Sequence, residues 1–305
     1  MRKEFIKYVN LNIQWQFEKK KLLKIIDKTI SNDDWVNGSE VKKFENNILK
    51  KTNSKYAVAL NSGTDALTLA LHLVGVKKGD EVITPPNSFI SSTSSIIHIG
   101  AKPVFADVCQ DQNINPEQIE KSITKKTKAI MTVHLTGRIS NIDKILKISK
   151  KYSIPIIEDA AQAIGSKFNN KMAGSFGDIS CFSCHPLKNL NGIGDGGFLA
   201  TNKKQLAIKA KMLSNHGFKN RNKLDDFGFL SRMDSVQAAI LNFRLKNLNN
   251  VIIQRRKNFK IYEKYLDKKN IFFPKELDSQ YNTYHTFVIQ TPNRDKLIKY
   301  LYKKG

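Results

Sequence analysis

The stretch AIMTVHLTGRISNIDKILKISKKYSIPIIEDAAQAIG, residues 129–165, carries the reading of the fold. AIMTVHL is a short apolar run of strand length. In Asn141–Tyr152, Ile142, Ile145, Leu146 and Ser149 fall on one face at helical spacing. IPIIED then returns to strand character. A strand, a helix and a second strand joined by short links is the unit of a parallel sheet. The alternation continues outward on both sides. YAVAL (56–60), EVITP (81–85) and KPVFADV (102–108) precede it, and ISCFS (179–183) and GGFLAT (196–201) follow. Helix-like stretches Asp65–Val74, Phe89–Ile99 and Pro116–Ser122 lie between them. Apolar strands separated by helices are buried on both faces, so the expectation is an α/β fold with a mostly parallel seven-stranded sheet between helices.

The flanks differ from this middle. Residues 1 to about 50 read as a helical, Lys-rich lead-in with Trp15 and Trp35. Gln237–Leu266 reads as one long helix that leaves the sheet body, followed by a strand at HTFVIQ (285–290) and a helix at Arg294–Lys304. The expected division is 1–236, lead-in plus large domain, and 237–305, long helix plus a smaller α/β domain that reads as begun rather than completed. Apolar side chains such as Phe287 and Ile289 would then stand on an exposed edge.

Composition narrows the class. Of 305 residues 40% are hydrophobic and 26% charged, which argues against wholesale disorder. The formal charge of +24 invites a nucleic-acid reading. Yet Lys is spread along the whole chain without a basic face or binding module, so no nucleic-acid partner is expected. No run approaches the roughly 18–20 apolar residues of a membrane span, and the N-terminus has no apolar core behind its charges, so neither a membrane partner nor a secretory signal is expected. A cytoplasmic protein follows. Cys109, Cys181 and Cys184 are too few for a disulfide framework. Cys181 and Cys184 lie three apart on a strand and face opposite sides, with no second Cys/His pair, so no metal site is expected.

Three segments bear on chemistry. NSGTDAL (61–67) follows a strand and opens a helix, a place where Ser62, Gly63 and Thr64 suit a phosphate or merely cap the helix. IIEDAAQAIG (156–165) ends a strand in Glu158–Asp159, where ligands bind in open α/β sheets and where Asp is also a common helix cap. CFSCHPLKNLNGIGDGGFLAT (181–201) sets Lys188 in a turn-rich stretch after Ser183 and His185. A buried lysine there can attack a carbonyl, although one lysine among many says little alone.

Taken in order, SGTDAL, TPPNSF, EDAAQA, SCHPLKNLNGIGDGG and GFLSRMDSVQAAIL resemble the DegT/StrS family of sugar-nucleotide aminotransferases, fold-type-I pyridoxal-phosphate enzymes, over nearly the whole chain. The resemblance implies pyridoxal 5'-phosphate as cofactor, held by Lys188 as an internal aldimine. It implies Asp159 on the pyridine nitrogen, Gln162 near the ring hydroxyl and Phe89 stacked on the ring. Gly63, Thr64 and Ser183 fall to the phosphate, and Ser62 is counted with them from its own place at the helix start. It further implies a nucleotide-linked keto-sugar as substrate, L-glutamate as amino donor and a homodimer. Some relatives carry histidine in place of the lysine and deoxygenate sugars, so Lys188 favours amino transfer. Leu230 stands where the family often has an Asn that reaches the neighbouring subunit's cofactor phosphate. Family members also run several dozen residues further. The alternatives are another fold-type-I activity, such as desulfuration or aldol cleavage, and a truncated non-catalytic paralogue.

Overall fold

The computed structural model describes residues 5–305. Helices α1 (Leu11–Ser31) and α2 (Ser39–Thr52) lead into β1 (Tyr56–Leu60) and α3 (Gly63–Leu73). Then come β2 (Glu81–Thr84), α4 (Ser91–His98), β3 (Lys102–Phe105), α5 (Pro116–Lys121), β4 (Thr127–Val133), α6 (Ile142–Tyr152) and β5 (Ile156–Asp159). Two-residue strands β6 (Lys167–Phe168) and β7 (Lys171–Met172) precede β8 (Ile179–Ser183) and β9 (Gly197–Thr201). The chain continues through α7 (Lys204–Leu213), the hairpin β10 (Phe218–Asn220) and β11 (Lys223–Leu224), α8 (Ser235–Leu245), α9 (Leu248–Tyr265), β12 (Gln280–Tyr281) and α10 (Arg294–Lys304).

The main sheet has seven strands in the order β1-β9-β8-β5-β4-β2-β3. Its ladders are parallel except where β9 runs antiparallel to both β1 and β8. Alternation along the strands divides the core into two layers. Ile130, Ile156 and Phe182 pack with α2, α5, α6 and α8, whereas Met131, Ile157 and Cys181 pack with α3, α4 and α7. The central strands are therefore apolar on both faces, as their sequences suggested, whereas the edge strand β3 is only partly covered, with Phe105 52% exposed. On α6 the buried stripe is Ile142, Ile145 and Ile148, not Ser149, whose hydroxyl donates to the Ile154 carbonyl at 2.6 Å.

Three expectations for the flanks are corrected. The run read as one long helix is broken at Lys246–Asn247, and its first half does not leave the sheet body. In α8, Ala238, Ile240, Leu241 and Leu245 are all buried, with α8 packed on α1 and α2, because QAAIL is apolar nearly all round. HTFVIQ is not a strand: its one pairing is the antiparallel bridge Phe272–Gln290, and Tyr284 at φ 47° turns the chain just before it. Phe287 does not stand on an open edge either. Its ring packs between Phe259, Phe273 and Tyr262, with centroids 5.1–5.5 Å away. The helix at Arg294–Lys304 is present as read.

Candidate active site

Every candidate residue lies at or just beyond the carboxyl ends of the sheet strands. Beyond β1, Ser62 caps α3, its Oγ accepting from the Asp65 N–H at 3.0 Å. Gly63 opens the helix directly against the end of β8. A Cβ at Gly63 would come within 2.7 Å of the Ser183 Cβ, so only glycine permits this approach. Gly197 is crowded from below in the same way, since its Cβ would lie 2.3 Å from the Ser62 carbonyl carbon. The helix start, with its free first-turn N–H groups and positive dipole end, thus sits beside the Ser183 hydroxyl. Thr64 Oγ1 lies 2.8 Å from Ser91 Oγ at the start of α4. The GFLSRMD segment closes on this turn within the same chain: Ser231 Oγ donates to Asp65 Oδ2 at 2.7 Å and accepts from the Asn61 N–H at 3.2 Å. Leu230 beside it is 59% exposed.

The two acids of IIED part company because successive strand residues face opposite sides. Glu158 points into the back layer and is wholly buried. It accepts from the N–H groups of Gly174, Phe176 and Gly177 at 2.7–2.9 Å and lies 2.9 Å from His134 Nε2. Burial pushes its pKa up, but His134 and the N–H groups together hold it below the ordinary value. On its other side His134 Nδ1 lies 3.2 Å from Ser140 Oγ and 3.3 Å from the Ser140 N. Asp159 faces the other way and is 5% exposed. Its Oδ2 accepts from Ser92 Oγ at 2.7 Å and its Oδ1 from the Ala161 N–H at 3.2 Å. The His134 N–H donates to the Asp159 carbonyl at 3.0 Å and so fixes the strand end.

Lys188 sits in the turn after β8, its N–H donating to the His185 carbonyl at 2.8 Å. Among the described residues no side-chain hydrogen bond or ion pair engages its amine. Burial pulls its pKa down, and the nearby Asp159 carboxylate opposes that pull. Next to it, both amide atoms of Asn189 are buried without a partner, as is His285 Nδ1. Burial, with Lys188 and Arg255 as neighbouring cations, drives His285 down to about 3, so its ring is neutral. Gln162 Oε1 accepts from the Thr136 N–H at 2.7 Å, and the His285 N–H donates to the Thr136 carbonyl at 2.9 Å. Phe89, 69% exposed, precedes α4. With Gln162, Thr136, Arg138, Tyr284 and Phe287 it lines a cavity of about 410 Å³.

The fold therefore brings Gly63, Thr64, Asp159, Ser183 and Lys188 to one place, with Phe89 and Gln162 on the wall of the adjoining space. Ser62 spends its hydroxyl's acceptor on the helix cap. Sequence reading missed Ser92 and His285. The hydroxyl-rich run SFISSTSSI hinted at the first, while nothing local marks the second. These groups fit pyridoxal 5'-phosphate: a glycine-permitted anion cradle, a half-buried primary amine without a side-chain partner among the described residues, a carboxylate near it, and the orphaned His285 Nδ1 in its neighbourhood.

Comparisons with known proteins bear on the family and the fold. The model of the DegT/DnrJ/EryC1/StrS aminotransferase family matches residues 16–305. A Geobacillus stearothermophilus protein named pleiotropic regulatory protein is 37% identical over 97% of this chain and 81% of its own. The dTDP-3-amino-3,6-dideoxy-alpha-D-galactopyranose transaminase of Aneurinibacillus thermoaerophilus is 35% identical over 99% of this chain and 82% of its own. Among solved structures, S. venezuelae DesV in complex with a ketimine intermediate superposes with a TM-score of 0.94 at 30% identity, covering 98% of this chain and 81% of that one.

Proposed function

The chain belongs to the DegT/DnrJ/EryC1/StrS aminotransferase family, and from that premise we propose that it aminates the keto group of a nucleotide-linked sugar, with L-glutamate as amino donor. It is a pyridoxal-phosphate-dependent enzyme, as its family is. The transaminase names of its relatives, on dTDP- and UDP-linked sugars, support the substrate class. When bound, the cofactor supplies an aldehyde that takes up amines and a ring that accepts the electron pair released at the neighbouring carbon. The chain's own residues do the rest. The α3 start with Gly63 and Thr64, together with Ser183, binds the phosphate. Asp159 holds the ring nitrogen's proton, and Phe89 and Gln162 orient the ring. Lys188 holds the cofactor through Nζ and, once released, carries a proton at that atom between substrate and cofactor. Burial favours the neutral amine this requires. In this reading residues 1–236 together with the rest of α8 form the cofactor-holding part, and the chain from α9 onward its cover.

The proposal extends to a cytoplasmic homodimer. Exposed apolar side chains such as Phe17 and Trp35 leave surface for a second copy, and no described helix is long and apolar enough to cross a membrane. Sedimentation of the purified chain tests the dimer.

The observation that carries the function is the half-buried Lys188 amine, without a side-chain partner among the described residues and close enough to feel the Asp159 carboxylate. Protein loaded with pyridoxal phosphate should absorb in the visible, and borohydride should bleach it and leave the label on the Lys188 peptide. Lys188→Ala should give no protein-linked label. A label on another lysine would overturn the assignment. Glutamate-dependent amination of a panel of 3-keto and 4-keto sugar nucleotides then names the substrate, and no turnover of any member would return the chain to a binding role.

A further inference from the structure

We infer that Ser92 is a positioning residue for the cofactor, acting through Asp159, an inference that rests on the reading of Asp159 as the ring-nitrogen carboxylate. A buried carboxylate keeps its charge only where donors satisfy it. Asp159 has two. The Ala161 N–H lies two residues along the chain and follows the strand end wherever it goes. Ser92 is different: it stands 67 residues away, is 1% exposed, and reaches Oδ2 at 2.7 Å from the first turn of α4. Serine in a helix commonly turns its hydroxyl back onto its own helix's carbonyls, as Thr68 does on Thr64 at 3.0 Å. Ser92 spends its one proton on Asp159 instead.

The consequence is geometric. The start of α4 carries Phe89 just before it, Ser91 against Thr64, and Ser92 against Asp159. One rigid element thus sets the separation between the phosphate end of the site and its carboxylate end. With one oxygen held by a hydroxyl and the other by an N–H, the carboxylate plane is fixed. Its remaining lone pairs have a defined direction toward a protonated ring nitrogen.

The test is equilibrium binding of pyridoxal 5'-phosphate to the apo-protein, read by absorbance, for Ser92→Ala, Ser92→Thr, Ser92→Cys, Asp159→Asn and the Ser92→Ala/Asp159→Asn double variant. Losing a hydrogen bond to a charged group should weaken binding roughly ten- to hundred-fold in Ser92→Ala. Ser92→Thr, which keeps the hydroxyl, should bind as the native protein does, and Ser92→Cys, a weaker donor, should fall between. In the Asp159→Asn background Ser92→Ala should add less than about threefold, because its target charge is gone. A merely structural Ser92 would cost the same in both backgrounds, and that result, or full affinity in Ser92→Ala, overturns the inference. If Ser92→Ala does not fold, the Thr and Cys variants still decide it: equal affinity for both overturns it. If Asp159→Asn itself binds normally, the reading of Asp159 fails and the inference falls with it. Weak binding by Asp159→Asn with native binding by Ser92→Ala sinks the inference alone.

Discussion

Lys188 is pushed in opposite directions by burial, which favours the neutral amine, and by the Asp159 carboxylate, which favours the ammonium. Cofactor uptake by the apo-protein should therefore rise with pH around a midpoint below the ordinary lysine value of about 10.4. Asp159→Asn should lower that midpoint further, since it removes the group that raises it. Stopped-flow absorbance against pH measures both, and a midpoint unmoved by Asp159→Asn would mean that the carboxylate does not reach the amine. His285 gives a second pH signature. Its folded pKa of about 3 lies below the unfolded value of about 6.5, so only the unfolded chain takes up the proton as pH falls between them. Stability should then drop with acidification by at most about 1.4 kcal/mol per pH unit, or about 2 kcal/mol between pH 7 and pH 5. Urea unfolding at the two pH values should show that loss in the native protein and not in His285→Gln. Glu158 enters only at lower pH, because its depressed pKa withholds stability once pH falls below the ordinary carboxylate range.

Elements meet at the site through two glycines. At Gly197 a Cβ would meet backbone, the Ser62 carbonyl carbon at 2.3 Å and the Gly63 nitrogen at 2.5 Å, so no side-chain rotation relieves it. Gly197→Ala should cost about 1–3 kcal/mol or more and weaken phosphate-end binding at the same time, since β9 or the α3 start must move. Thermal unfolding and pyridoxal-phosphate titration on the same sample check this, and loss of stability with native affinity would separate the glycine from the cradle. The elements of the sheet were legible in advance because apolar runs and their period are local properties of the chain. YAVAL, IPIIED and ISCFS each became the strand that its own residues describe. HTFVIQ reads just as well, yet a strand needs a partner, and here Phe287 is drawn into the ring cluster with Phe259 and Phe273 instead. The run from Gln237 misled for a related reason: helical periodicity persists across Lys246–Asn247, while packing on α1 and α2 holds α8 and lets α9 turn away.

Across the whole molecule, the segment after α9 is sewn to the rest of the chain by β12 on β6, by Gln290 on the Gln110 carbonyl and by a seam around Arg138. Arg138, 5% exposed, donates to the Lys275 and Pro274 carbonyls and to Gln280 Oε1 at 2.6–3.1 Å. The Thr283 and His285 N–H groups donate to the Gly137 and Thr136 carbonyls at 3.1 and 2.9 Å. Arg138→Ala should cost about 1.5–3 kcal/mol locally. Amides of residues 280–290 should then exchange faster while those of β4 and β5 keep their protection. Uniform loss across the sheet would mean that the seam is part of the global core. The motifs SGTDAL, EDAAQA and HPLKN carried the site's chemistry in their own residue types: a glycine that allows close approach, an acid at a strand end, a lysine in a turn. Those demands are met within a few residues, so they are written in order along the chain. Which serine holds Asp159, and which histidine stands beside Lys188, are different matters. Ser92 and Asp159 are 67 residues apart, and His285 reaches the lysine only across the Arg138 seam. Such contacts have no period and no motif. They arise when the layers pack and bury polar atoms that must then find partners, and packing alone chose them.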